Sequence, residues 1–284
     1  MTDISSLILQ GLAAVLVLSV LGLIATVVVT AVRDRIRTAR RERLSAVLLD
    51  ICDGEDLPAP RSTRDAETIA DLAVRLATSL KGSDREALSA WLQRSGFPGR
   101  ARAWMRRRNP ASRLRGVALV TTINGPRSGR ALVEMLADPH RRVRAGAARG
   151  LGITGAGSDI PALFSAVAAG RIPAGLAAMS VLRIFPTSGG QLESGFSSRD
   201  PSVRRIAAEI AGRLELADAR PRLERLLGDS DATVVSAALA ALVRIDDPEA
   251  LTALRRERDR LADDPTRREF ERTISRLEAL EPVG

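Results

Sequence analysis

The chain has 284 residues, 45% hydrophobic and 27% charged, with a formal net charge of +9, enough for a membrane segment and one elongated or two compact units. Cys52 is the only cysteine and His140 the only histidine, which excludes an intrachain disulfide, effectively excludes a zinc site and leaves a Ser-His-Asp arrangement only His140 to draw on. Two tryptophans, five phenylalanines and no tyrosine give few aromatic platforms for sugars or unstacked bases. No catalytic, cofactor-binding or metal-binding residues are expected, and no enzyme activity.

Residues 4–32, "ISSLILQGLAAVLVLSVLGLIATVVVTAV", carry no charge. Twenty-nine helical residues reach roughly 43 Å against a hydrocarbon core of about 30 Å. A cleaved signal peptide needs a basic start and a shorter apolar core, whereas here only Asp3 precedes the run and "TAVRDR" is a poor cleavage site. The expectation is a single-pass transmembrane helix. The following segment 33–43, "RDRIRTARRER", holds Arg33, Arg35, Arg37, Arg40, Arg41 and Arg43 against Asp34 and Glu42. Positive charge stays on the cytoplasmic side, which places the N-terminus outside and the C-terminal part in the cytoplasm, at a bacterial inner membrane. The same six arginines are candidates for anionic lipid headgroups.

Residues 44–105 read as a helical lead-in. "DGEDLPAPRSTR" (53–64) is a loop. "DAETIADLAVRLATSL" has Asp65 as expected N-cap and Ile69, Leu72, Ala73, Leu76 and Leu80 on one stripe. The next helix is expected to be capped at Ser83 or Asp84 and stopped by Gly96.

From residue 106 to 258 the chain repeats. Segments starting at Leu114, Val143, Pro173, Val203 and Val234 are spaced by 29, 30, 30 and 31 residues, and each has an alanine four positions on: Ala118, Ala147, Ala177, Ala207 and Ala238. A small residue recurring at one register means helices pressed close together. A second apolar helix follows in each unit, carrying Leu132 and Leu136, Leu163 and Phe164, Leu192 and Phe196, Leu223 and Leu227, and Leu251 and Leu254. Two helices per period of about thirty residues predict an all-α solenoid of about five units. "DPHRRVRAGAARGLG", "RDPSVRRIAAEIAGRL" and "SDATVVSAALAALVRIDDPEALTAL" resemble HEAT repeats of the short bacterial type. The third unit departs from that pattern at Pro173 and the fifth at Val235. The resemblance implies a binding scaffold more than an activity, although some relatives act as bilin lyases. Residues 259–284 read as a capping helix, with Asp264 as N-cap, Pro265 in the first turn and Phe270, Ile274 and Leu277 on one face.

The repeat pattern assigns Asp138 and Asp200 as helix caps, and Arg144, Arg204 and Arg115 as a ladder between units, with Asn109 in the place of Asp138. The surplus charge lies in residues 97–149, where thirteen arginines face only Glu134 and Asp138 for a net +11. Arg106, Arg107, Arg108, Arg141 and Arg142 are not needed by the pattern and are the candidates for a partner or anion. A membrane or membrane-associated protein, or anionic lipid headgroups, fit them best. The alternative for these basic first repeats is nucleic acid held by its phosphate backbone, a less favoured reading because no base-reading motif accompanies the charge. The layout of anchor, basic segment and HEAT stack also resembles accessory proteins of membrane synthases such as glycosyltransferases that make surface polysaccharide.

Overall fold

No proline interrupts residues 2–52, and α1 runs unbroken from Thr2 to Cys52. In the computed structural model the described residues are 2–55, 57–245, 250–260 and 265–278, without the side chains of 2–22, 25, 33, 37, 260, 265, 266, 269 and 277. All the elements among these residues are helices. The transmembrane helix expected over 4–32 finds no support here: among the described residues no helix is long and apolar enough to cross a membrane. Most of that run's side chains lie outside the described residues. The chain divides into two compact units, Met1–Trp91 and Leu92–Gly284.

In the first unit, the end of α1 buries Leu44, Leu48, Ile51 and Cys52 against α2 (Thr63–Leu76), which contributes Ala66, Ile69, Ala70 and Ala73. The buried stripe of α2 is thus rotated from the expected one, and Leu72, Leu76 and Leu80 are only half-buried. Asp65 is not the cap. Ser62 occupies that position, and Asp65 sits in the first turn, where its carboxylate takes Arg40 at 3.4 Å and Arg43 at 3.8 Å. In α3 (Gly82–Arg94), which starts one residue before the expected cap, Trp91 is buried and its indole N–H donates to the carbonyl of Leu57 at 2.6 Å. Burial pushes the Cys52 thiol up, with the charges of Asp84 and Asp53 adding to it.

The second unit is a stack of helix pairs. After α4 (Phe97–Met105) come α5 (Pro110–Ile123) with α6 (Ser128–Met135), then α7 (Arg141–Thr154) with α8 (Ile160–Ala168). Next are α9 (Ala174–Ile184) with the short α10 (Glu193–Phe196), α11 (Pro201–Arg213) with α12 (Arg220–Leu226), and α13 (Ala232–Ile245) with α14 (Ala250–Arg260). The first helices of successive pairs lie side by side, α5 on α7, α7 on α9, α9 on α11 and α11 on α13, with the second helices forming the other layer. That two-layer succession is an α-solenoid. All ten second-helix residues expected in the core, from Leu132 to Leu254, are buried. α15 (Pro265–Glu278) covers the last pair, burying Phe270 and Ile274 against α13 and α14. The expected cap Asp264 lies outside the described residues.

Close approach explains the small-residue row. Ala147, Ala177, Ala207 and Ala238 are fully buried, and a methyl group on Gly212 would sit 2.5 Å from the Cα of Ala241. In the first pair the expected register is off by two. Ala118 is half-buried, and the residue in the row is Gly116, where a methyl group would lie 2.8 Å from the carbonyl oxygen of Ala101. The same shift makes Arg113, not Arg115, the counterpart of Arg204.

The caps recur at the start of four first helices. Side chains of Asn109, His140, Asp200 and Asp231 each accept the N–H two residues on, at 2.9, 3.3, 2.8 and 2.9 Å. Asp138 is therefore not a cap, because His140 holds that position in α7. Asp138 instead matches Asp229: each carboxylate accepts an N–H two residues on and the guanidinium of the preceding pair. Arg113 donates to Asp138 at 2.7 and 2.9 Å, and Arg204 to Asp229 at 2.6 and 2.8 Å. Arg144 makes a third rung through the carbonyl of Arg171 at 2.6 Å. Ala174, opposite in register, makes none.

Burial raises the Asp138 carboxyl, but Arg113 and the His140 N–H outweigh it and hold the group below the usual carboxylate range. At Asp229 the Arg204 hydrogen bonds are the largest cause and lower it too. Depressed folded-state values stabilise the fold at any pH above the ordinary carboxylate value of about 4, and that stabilisation is lost as pH falls through the depressed values. Urea midpoints measured against pH should therefore stay flat, so far as these pairs contribute, down to about pH 4 and drop below it. The drop should shrink in an Arg204→Leu/Asp229→Leu chain; an identical drop would assign acid sensitivity elsewhere.

Among the described residues, three that are not glycine hold left-handed backbone, Asn124, Phe185 and Glu215, where φ is 45°, 58° and 52°. Asparagine suits that region, but a bulky aromatic does not. Phe185 is also 64% exposed, so it offsets little of the strain by burial. Phe185→Gly is expected to raise thermal stability by about 0.5–1 kcal/mol, and an unchanged or lowered melting temperature would refute it.

Candidate functional site

The +11 stretch folds into two arginine surfaces rather than one. Gly96 starts α4 from left-handed backbone at φ 78°, a conformation open to glycine. α4 then buries Phe97, Ala101, Trp104 and Met105 and turns Arg102 outward. α5 ends at Asn124, and the turn beyond it is closed by Ser128, whose hydroxyl accepts from the Gly125 N–H at 2.9 Å and donates to the Val120 carbonyl at 3.2 Å. That turn brings Arg127 and, one turn into α6, Arg130 across from α4.

A groove of about 430 Å³ results, lined by Arg102 and Arg106 on one side and by Arg127, Arg130 and Glu134 on the other. Glu134 pairs loosely with Arg130 at 3.9 Å. Among the described residues no carboxylate pairs with Arg102, Arg106 or Arg127. Beside it lies a smaller pocket of about 230 Å³ bounded by Pro98, Val120 and Ile123, and Arg102, Arg127 and Ala131 line both. The amide of Gln93, also part of this wall, donates to the Ile123 carbonyl at 3.3 Å.

Of the five residues expected as partner contacts, all exposed, only Arg106 lines the groove. Arg107 and Arg108 offer their carbonyls to Arg113 at 3.1 and 2.6 Å, while Arg141 and Arg142 open α7 just after His140. Because Asp138 takes both Arg113 and the His140 N–H, these four arginines share the edge formed by the N-terminal ends of α5 and α7. Arg115 belongs to neither surface, its guanidinium lying 4.3 Å over the Trp104 ring. Arg102, Arg127 and Arg130 were not singled out from sequence. Arg127 and Arg130 sit in and just after a stretch that reads as a helix breaker, "NGPRSG", and only tertiary packing sets them opposite α4.

Of the six membrane-surface candidates, Arg35 and Arg41 are exposed, Arg40 and Arg43 engage Asp65, and the side chains of Arg33 and Arg37 lie outside the described residues. No group of three or more His, Cys, Asp or Glu gathers among the described residues in a way that could hold a metal ion.

Residues 191–275 match the family model for HEAT repeats. The match covers the last two helix pairs and most of α15, together with the turn and short helix before them. Three solved structures align with the chain at low similarity. The complex of CpcE and CpcF of phycocyanin lyase from Nostoc sp. is 18% identical with a TM-score of 0.33, covering 78% of this chain and 98% of that one. An engineered protein is 18% identical with a TM-score of 0.30, covering 77% and 93%. Human deoxyhypusine hydroxylase in complex with glycerol is 14% identical with a TM-score of 0.27, covering 86% and 98%. No curated protein matches the chain. At these identities and TM-scores the likeness does not extend to activity.

Proposed function

We propose that the HEAT stack is a non-catalytic scaffold that binds a protein partner, and that residues 4–32 hold it at the bacterial inner membrane with the stack in the cytoplasm. The observation that carries the binding part is the groove between α4 and α6, where three arginines without a carboxylate partner face solvent beside an apolar pocket. Unpaired like charges repel one another and are stabilised when a complementary surface arrives. The membrane part rests on the uncharged run and on the arginines that follow it. A membrane synthase or glycosyltransferase fits that arrangement as the partner.

Complexes extracted from native membranes in mild detergent should carry a stoichiometric membrane protein; a clean monomer would sink the scaffold reading. A reporter fused after Gly284 should be active in the cytoplasm, and activity only outside it would overturn the topology. Anionic lipid is the second reading, favoured by exposed Arg35 and Arg41. It predicts that retention on phosphatidylserine vesicles weakens when those two are replaced by glutamate.

A further inference from the structure

We infer that the α4–α6 groove docks an acidic segment of the partner protein, its carboxylates on Arg102, Arg106, Arg127 and Arg130 and one apolar side chain in the pocket against Val120 and Ile123. This rests on the scaffold reading and gives its partner a chemistry. Charge complementarity selects the occupant. Four guanidiniums line the groove with a single carboxylate among them, and guanidinium forks suit carboxylates bidentately. The pocket selects further. At about 230 Å³ it falls below the roughly 300–1,000 Å³ of sites that hold a drug-sized molecule, so it suits a single leucine-sized side chain and not a pair of acyl chains. Neither groove nor pocket presents an aromatic ring, so unstacked bases of a nucleic acid have no platform there.

The two halves of the site also depend on one another. Arg102 and Arg127 line both the groove and the pocket, so an apolar side chain entering between them carries its flanking carboxylates to the guanidiniums. Charge alone gives a patch that accepts any polyanion; the adjoining pocket adds a requirement for one apolar residue in an acidic setting.

The full chain in detergent is titrated with two short fluorescent peptides of aspartate and glutamate, one with a central leucine and one with serine in its place. The leucine peptide should bind about 10-fold more tightly, the effect of burying one such side chain. Arg102→Glu/Arg127→Glu should weaken it by about 10-fold or more, while Arg149→Glu, an exposed charge change outside the groove, should leave it within about 2-fold. Ala131→Leu, which fills the pocket, should abolish the preference for leucine without removing binding of the serine peptide. Equal affinity for the two peptides, or no binding of the leucine peptide, overturns the inference. So does tighter binding of a single-stranded oligonucleotide or of phosphatidylserine vesicles through the same arginines. The scaffold reading fails separately: if it alone is wrong, the unsubstituted chain leaves native membranes without a partner. If only the groove assignment is wrong, Arg102→Glu/Arg127→Glu chains leave with the partner still bound.

Discussion

Arg204→Ala is expected to destabilise the chain by about 3 kcal/mol, far more than the loss of one surface ion pair. The reason is what it strands. Arg204 donates to both oxygens of Asp229 and to the carbonyls of Ser198 and Arg199 at 2.9 and 3.1 Å. The two side chains are 15% and 7% exposed. Removing the guanidinium leaves a largely buried carboxylate with only the Asp231 N–H, at 2.9 Å, to meet it, and an uncompensated buried charge is costly. Asp229→Ala should cost less, since Arg204 keeps its two carbonyls. Arg204→Leu/Asp229→Leu should recover much of the loss, because an apolar pair of similar volume often substitutes for a buried ion pair. Urea denaturation of the three variants gives the comparison. If Arg204→Ala costs no more than Asp229→Ala, the stranded carboxylate is not the cause. Arg113→Ala should act in the same direction through Asp138.

Phe270→Ala is expected to cost about 3–5 kcal/mol and to make the protein self-associate. Phe270 is fully buried on α15, which lies over α13 and α14. A helix with a polar outer side lying over the last described pair covers apolar surface that a further repeat would otherwise bury. Loss of the ring opens a cavity at the edge where the stack would otherwise continue, so the exposed surface suits another copy. Calorimetry should show the lower melting temperature, and light scattering the concentration-dependent growth. A destabilised chain that stays monomeric would keep the packing role and remove the capping one.

Much of the solenoid could be read from the sequence because its packing leaves a period. Ala147, Ala177, Ala207 and Ala238 mark one register, and the leucines of the second helices mark the other layer. In the first pair the sequence spacing misleads by two residues for a physical reason. Glycine serves the same close approach as alanine, so Gly116 fills the row while Ala118, two positions on, keeps the spacing nearly uniform by coincidence. Arg115 then looks like the ladder residue, although it stacks on Trp104 and Arg113 makes the bond. Asp138 reads as a cap in the sequence because an Asp-Pro pair marks the start of both α7 and α11. The distinction is whether the carboxylate meets its own helix or its neighbour's arginine, and that depends on a contact 25 residues away. The groove was the least legible part. Its arginines come from α4 and from the turn and first residues of α6, and nothing in their spacing announces that they face each other.

The break in the ladder has a mechanical consequence. Arg113, Arg144 and Arg204 each bolt one pair of helices to the start of the next, but Ala174 supplies no bolt between the third pair and the fourth. α9, which follows Pro173, is the shortest first helix, at 11 residues. The opposite edge of that junction is latched: Asp218 accepts from the Ser188 hydroxyl and the Gly189 N–H, and Arg222 reaches Glu193. Bending at that junction breaks no rung of the ladder, whereas bending at any of the other three breaks one.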